Sequence, residues 1–257
     1  RACVQRAALV ITICAVVAGI FLPSYAMAGD KPPGVLPPNA NPHGASYGEW
    51  SGRWWTWAGT QPTPVNPVLD ITGEFCARGQ SGSVWFLAGT FVMPSQVTRT
   101  CTIPVGKALF FPVYNWSWIT FATDPGVCEA NGYPSLEACA RDSLKQGMDS
   151  ELKKIADAGG ARVLVDGKAV DLKFSDPITS PFRVVSPEFR MLLPLDNVWG
   201  VTEEYCPMVD GGYDCNPYYG DGVYVMLAPL SAGSHTLQIN VPGALVVTYN
   251  LTIQPKN

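Results

Sequence analysis

Residues 46–57 read S-Y-G-E-W-S-G-R-W-W-T-W and contain four of the chain's eight tryptophans. Ser46 followed by Glu49 forms a capping box, which predicts a helix that begins directly after Ser46. At 100° per residue, one stripe of this helix contains Tyr47, Trp50, Trp54, Trp57 and Ala58. Trp55 lies off this stripe. We therefore expect a short helix that this stripe fastens to a sheet, because each aromatic ring buries a large area.

The sequence after Pro62 is dominated by strand patterns. Residues 83–92 are almost continuously apolar, residues 162–172 form a hairpin with an Asp-Gly turn, and residues 222–254 contain three strands. One long helical pattern interrupts them at residues 135–158. Together with 25 glycines and 23 prolines, this predicts a mainly β fold: a β-sandwich or jelly-roll-like, mostly antiparallel architecture with a short N-terminal Trp-rich helix and one longer inserted helix.

The N-terminal segment has the layout of a secretory leader. Residues 1–28 carry two arginines, an apolar run and an Ala-Met-Ala cleavage site, and the alternative interpretation is a membrane anchor. Residues 29–45 are rich in proline and are expected to be extended or mobile. Residues 46–257 are then one β-sandwich-like domain, and the protein is predicted to be secreted or periplasmic.

Cysteine number agrees with export. Two of the eight cysteines lie in the leader, and the remaining six form an even set, as expected for disulfides. Proximity in sequence favours the pairs Cys76–Cys101, Cys128–Cys139 and Cys206–Cys215, although six cysteines allow 15 pairings. Zinc is disfavoured because no C-x-x-C is present and only two histidines exist. No cofactor is predicted.

The charge balance restricts the possible partners. Loss of the leader removes two positive charges, which takes the formal net charge from −4 to −6. An acidic chain without a basic run argues against nucleic acid or an anionic membrane as partner. No segment after the leader is long and apolar enough to span a bilayer. A small molecule or glycan remains as ligand, and the oligomeric state is open.

Four stretches resemble a family of secreted bacterial proteins to which no activity is assigned. They are Y-G-E-W-S-G-R-W-W-T-W (47–57), G-Q-S-G-S-V-W-F-L-A-G-T-F (79–91), C-T-I-P-V-G-K-A-L-F-F-P (101–112) and D-G-V-Y-V-M-L-A-P-L-S-A-G-S-H-T-L (221–237). The resemblance extends over most of the mature chain. It implies export and a single domain, and it implies no mechanism.

Aromatic residues at expected loops are the candidate ligand contacts. Asn115-Trp116-Ser117-Trp118 follows an expected strand end, and two tyrosines lie near a cysteine loop. Stacking aromatics with nearby amides suit a neutral polar ligand, with carbohydrate as the first choice. The predicted contacts are Trp55, Asn115, Trp116, Trp118, Tyr218 and Tyr219.

Catalysis is the alternative. A glycan or ester hydrolase could use a carboxylate pair such as Asp214 and Asp221, with Glu49 and His235 as further candidates. Ser46 lies in a G-x-S-x-G match, but a proline-rich arm precedes it where a hydrolase elbow needs a strand. A second alternative is a structural envelope protein whose aromatic patch meets a protein partner.

Calcium is the one metal for which the sequence offers oxygen ligands. The weak candidates are Asp210, Asp214, Asn216 and Asp221, and their order does not match an EF-hand loop.

Overall fold

A computed structural model describes residues 34–92, 96–172 and 176–255 of the chain. The predicted leader, residues 1–28, and the first part of the proline-rich arm lie outside the described residues. Within the described ranges, no helix combines the length and apolar character that crossing a bilayer requires.

Three α-helices and three short 3₁₀ turns are described. The helices are α1 (Tyr47–Gly59), α2 (Asp124–Ala130) and α3 (Leu136–Asp157), and the turns are Pro38–Ala40, Pro42–Gly44 and Thr63–Val65.

Twelve strands form the rest of the regular structure. In chain order they are β1 (Val84–Phe86), β2 (Gln96–Pro104), β3 (Ala108–Ile119), β4 (Arg162–Val165), β5 (Lys168–Ala169), β6 (Arg183–Val185), β7 (Leu193–Pro194), β8 (Met208–Val209), β9 (Gly212–Tyr213), β10 (Tyr218–Leu227), β11 (Gly233–Val241) and β12 (Leu245–Gln254).

Two larger sheets share one apolar core, and this confirms the predicted mainly β class. The first sheet has the order β1-β3-β10-β6 and the second β2-β12-β11-β4-β5. Most pairs are antiparallel, but β1 with β3 and β2 with β12 run parallel. A small third sheet, β7-β9-β8, lies over a separate apolar cluster that contains the Cys206–Cys215 disulfide.

Helix α1 begins and packs as the sequence predicts. Ser46 Oγ accepts a hydrogen bond from Glu49 N at 3.2 Å, and the Glu49 carboxylate accepts one from Ser46 N at 2.7 Å. The stripe tryptophans are buried, and each indole N–H donates to a distant main-chain carbonyl: Trp50 to Pro42, Trp54 to Leu87 and Trp57 to Arg78. These bonds remove the cost of burying three indole donors and fix the helix on the sheet.

The described part of the proline-rich arm is held against the domain. Val35 bridges Leu227 at the end of β10, and Leu36 N donates to Met226 O at 2.9 Å. The Tyr47 hydroxyl donates to Leu36 O at 2.7 Å. The extended or mobile arm expected from composition is therefore corrected for residues 34–45, which contain two 3₁₀ turns and main-chain contacts.

The inserted helix and the hairpin match their predictions. Ser135 caps α3 by accepting from Ala138 N at 3.1 Å, and the apolar stripe of α3 is buried. The hairpin β4–β5 turns at Asp166 and Gly167, with φ of 50° and 75°. Both central residues of a type I′ turn need positive φ, which is why Asp-Gly is favoured there.

All three predicted disulfides are present, with Cα–Cα distances of 5.9, 5.7 and 5.1 Å in chain order. Cys76 lies in a turn and Cys101 in β2, so the first disulfide ties that turn to the second sheet. Asp70 organises the same turn, because its carboxylate accepts main-chain hydrogen bonds from Thr72, Gly73 and Phe75.

Candidate functional site

Strand β1 is much shorter than predicted, and its early end opens the candidate site. Of residues 83–92 only Val84–Phe86 pair with β3, and the last contact is Leu87 N to Phe110 O at 3.0 Å. The chain then leaves the sheet, where Arg99 binds the carbonyl oxygens of Ala88 and Gly89 at 2.9 and 2.8 Å. Beyond Phe110, β3 therefore has β10 on one side and no described strand on the other.

A cavity of about 500 Å³ lies along this open edge of β3. Its lining comes from the β3 edge, both faces of the sheet and two loops, and includes Trp54, Trp55, Phe91, Tyr114, Asn115, Trp116, Ser117, Glu151, Trp199 and Leu245. The volume is within the range of small-ligand sites, and the predominance of apolar side chains is typical of them. We call it the edge cavity.

Helix α1 supplies one wall of the edge cavity. Trp55 lies against Gly220 of β10, where a Cβ would stand only 3.1 Å from the indole Cδ1 and Nε1 atoms. The Trp55 ring also contacts Trp199, with 6.2 Å between ring centroids. Trp55 Nε1 is buried without a hydrogen-bond partner of good geometry among the described residues, although Tyr224 is close to it. The Nε1 atom is turned toward Gly220 and Tyr224, so Trp55 contributes the surface of its ring to the cavity.

Helix α3 supplies the opposite wall. Trp116 packs on Gly147, where any Cβ would overlap its ring, and it remains 38 % exposed. Tyr114 lies beside Glu151, and burial raises the pKa of its hydroxyl above the ordinary value. Tyr114 therefore stays protonated at neutral pH and can donate a hydrogen bond.

The polar side chains of the cavity are largely engaged within the protein. Asn115 Nδ2 donates to the Tyr224 hydroxyl at 2.9 Å. Glu151 accepts from Lys154 Nζ at 2.6 Å, and this charge pair is on the same helix. The cavity thus presents aromatic rings and little free charge.

Three of the six predicted ligand contacts meet in the edge cavity: Trp55, Asn115 and Trp116. The other three are corrected. Trp118 packs with Tyr219 and Leu144 in a small cluster under α3, and Tyr218 lies in the cluster below the third sheet. Tyr218 and Tyr219 are 0 % and 2 % exposed, because β10 begins at Tyr218 rather than near Gly222.

The proposed carboxylate pair is also corrected. Asp221 is 1 % exposed and accepts two hydrogen bonds from Arg183, at 3.0 and 2.7 Å. Asp214 lies outside the cavity that Asp221 lines and bonds to the neighbouring Asn216. Asp221 is therefore a structural ion-pair partner, and the two carboxylates do not face each other across a substrate.

Glu49 has a structural task as well. Its carboxylate caps α1, and the hydrogen bond from the Ser46 N–H holds its pKa below the ordinary value. Glu49 lines a separate, open groove of about 650 Å³ on the outer side of α1. A carboxylate held in its ionised form by a helix N-terminus is poorly suited to act as a general acid.

The contacts of His235 resemble a Ser-His-Asp triad, but they hold two turns of the domain together. Its Nδ1 lies 2.7 Å from Asp166 Oδ2, and its Nε2 lies 3.3 Å from Ser231 Oγ. Nε2 is closer still, 3.0 Å, to the Ser231 carbonyl oxygen, and Asp166 also accepts from Thr236 N. Ser231 does not line the shallow depression beside His235. The contacts join the β4–β5 turn to the start of β11.

The calcium candidates are not assembled into a site. In residues 34–255, apart from the two undescribed gaps, no group of three or more His, Cys, Asp or Glu side chains could hold a metal ion. Asp214 and Asn216 bond to each other, and Asp221 is occupied by Arg183. Asp210 lies in the exposed turn between β8 and β9.

Sequence reasoning missed several lining residues: Trp54, Phe91, Tyr114, Glu151 and Trp199. Trp54 belongs to the buried stripe and reaches the cavity only at its margin. Glu151 and Trp199 carry no local signal, because the cavity depends on where β1 ends and on which loops lie beside β3.

Comparison with known proteins identifies no relative. The chain matches no protein-family model, no curated protein and no solved structure. The resemblance to secreted bacterial proteins therefore stays a prediction.

Proposed function

We propose that this chain is an exported binding protein whose ligand occupies the edge cavity. The observation that carries the proposal is the cavity of about 500 Å³ with Trp55, Trp116 and Trp199 in its walls. Export is supported by three disulfides within the chain and by the leader-like sequence of residues 1–28.

The geometry favours binding over hydrolysis. Glu151 is the one carboxylate among the described lining residues, and it is paired with Lys154. Glycoside hydrolysis by two carboxyl groups needs both on opposite sides of the scissile bond. A concave cavity likewise favours a ligand over the flat apolar patch of a structural envelope protein.

The ligand is neutral or weakly polar. Carbohydrate is the class that the aromatic content predicts, with the partly exposed Trp116 as the stacking surface. Tyr114 and Ser117 supply hydroxyl groups. Three disulfides and an aromatic core would keep the cavity largely preformed, which reduces the entropy lost on binding.

The test is titration calorimetry of the oxidised protein against a panel of neutral oligosaccharides and uncharged peptides. Binding should be weakened about tenfold or more by Trp116→Ala, because the variant removes the exposed wall of the cavity. Trp118→Ala is the matched control, since it removes an indole of the same strand that lies outside the cavity. Absence of binding to both classes, or equal weakening by both variants, would refute the proposal.

A further inference from the structure

We infer that the ligand of the edge cavity is an extended peptide that pairs with the open edge of β3. The inference rests on the proposed binding function and specifies its ligand class. It is carried by the strand register, by the position of a proline and by the arrangement of aromatic walls.

The hydrogen bonds of β10 to its neighbours β6 and β3 determine which main-chain groups of β3 face the open edge. Ser186 N donates to Gly220 O at 2.9 Å, so the main-chain groups of Gly220 point toward β6. Successive residues of a strand direct these groups to alternate sides. Tyr219 and Asp221 therefore point toward β3.

These two β10 residues lie opposite Trp118 and Trp116 of β3. The intervening residues, Asn115 and Ser117, must direct their N–H and C=O groups to the open edge. No described residue makes a main-chain hydrogen bond to either of them on that side. Both line the edge cavity, so two donors and two acceptors in strand geometry face it.

Pro112 marks the same edge independently. Phe110 O accepts from Leu87 N, so Phe110 faces β1, and Pro112 follows two residues later on the same side. Proline lacks an N–H and is found in sheets where no ladder partner needs one. The β3 sequence is thus compatible with an edge at this position.

The walls suit the alternating side chains of an added strand. Trp55 lies on the Gly220 face of the sheet, and Trp116 packs on Gly147 of α3 on the opposite face. Side chains of a strand added beside Asn115 and Ser117 would project alternately toward these two walls. A β-bulge separates Pro112 from Tyr114, so the regular open stretch that lines the cavity is residues 114–117, roughly 13 Å long, which matches about four extended residues.

A peptide fits the free groups better than a sugar does. Asn115 Nδ2 and Glu151 already bond to Tyr224 and Lys154, whereas the main-chain groups of Asn115 and Ser117 have no partner among the described residues. Residues 89–92 and 243–245 line the cavity beside the edge, so the space there suits a single extended segment.

The experiment starts from a phage-displayed library of random nine-residue peptides panned on the oxidised full chain. Selected sequences should carry apolar or aromatic residues at alternate positions. The best peptide is then synthesised with a single N-methyl group at each position in turn. Methylation at every second residue should weaken binding about tenfold or more, and methylation at the residues between should change it less than about threefold.

The protein side is tested with Ser117→Pro, which removes the edge-facing N–H and also fixes φ near −65°, and with Ser117→Ala as the control that keeps the N–H. Urea denaturation of both variants checks that the fold is retained. Ser117→Pro should abolish detectable binding and Ser117→Ala should retain it within about threefold. Binding that survives Ser117→Pro, or N-methyl effects without a period of two, would overturn the inference. Selection of no peptide while an oligosaccharide binds would overturn it and leave the binding function intact, whereas failure of both ligand classes would refute both.

Discussion

Gly147→Ala tests the contact that holds Trp116 in the wall of the edge cavity, and two opposing effects decide its outcome. Replacing a glycine inside a helix by alanine ordinarily stabilises by about 1 kcal/mol. At this position the new Cβ would overlap Trp116, whose Cε3 and Cη2 atoms would be at 3.0 and 3.3 Å. The backbone of α3 is fixed by its buried stripe, so the partly exposed ring must move instead.

The expected loss in the free energy of unfolding follows from the buried area of the Trp116 ring. Trp116 is 38 % exposed, so about 150 Å² of a side chain that can bury up to about 250 Å² is out of water. Displacing half of this contact at about 25 cal/mol/Å² costs about 2 kcal/mol. Gly147→Ala should therefore destabilise the protein by about 1 kcal/mol net of the helix-propensity gain, as measured by urea denaturation.

The control is the same substitution in a Trp116→Ala background. With the ring removed, Gly147→Ala should stabilise by about 1 kcal/mol, which gives a coupling energy of about 2 kcal/mol between the two positions. Tryptophan fluorescence of the single variant should shift to longer wavelength as Trp116 becomes more exposed. An equal stabilisation in both backgrounds, with coupling below about 0.5 kcal/mol, would refute the contact.

Three further changes test the fold that supports the cavity. Asp221→Asn weakens the buried ion pair with Arg183. The free energy of unfolding, measured by urea denaturation, should fall by about 3 kcal/mol. A fall of less than about 1 kcal/mol would show that Asp149 alone balances the charge of Arg183. Burial would raise the pKa of Asp70, but hydrogen bonds from Phe75, Thr72 and Gly73 outweigh burial and lower it. Because the folded pKa is depressed, the Asp70 contribution is present above about pH 4 and is lost as the pH falls through the folded pKa; wild type and Asp70→Asn should differ at pH 7 and converge at acid pH, and a constant difference would contradict this. Tyr249→Phe removes hydrogen bonds with Arg99, Ala88 N and Ala88 O. It should lower the free energy of unfolding by about 2 kcal/mol, as measured by thermal denaturation. The control Tyr205→Phe changes an exposed tyrosine and should leave the stability nearly unchanged.

The parts of the structure that the sequence predicts well are those in which the signal is local. Helix α1 is specified by the capping box of Ser46 and Glu49 and by an aromatic stripe within thirteen residues. The Asp166-Gly167 turn and the cysteine pairs separated by 11 and 9 residues are likewise short-range. In each case the residues that decide the conformation lie within a few turns of one another.

The predictions that failed depend on where strands end, and a partner strand decides that. Residues 115–118 continue β3 because they pair with β10, and the same pairing buries Tyr218 and Tyr219. Conversely, residues 87–92 leave the sheet although they are apolar, because Arg99 takes the carbonyl groups of Ala88 and Gly89. The edge cavity results from these long-range contacts, so only its aromatic content was visible in the sequence.

Amide hydrogen exchange along β3, resolved residue by residue by NMR, tests the open edge most directly. In the free protein the amides of Asn115 and Ser117 should exchange rapidly, whereas those of Trp116 and Trp118, which bond to β10, should be protected by at least about a hundredfold more. Adding the bound peptide should then slow the exchange of Asn115 and Ser117. Uniform protection of residues 115–118 in the free protein would show that the edge is already covered, and uniform rapid exchange would show that this part of β3 is not paired; either result would contradict the account.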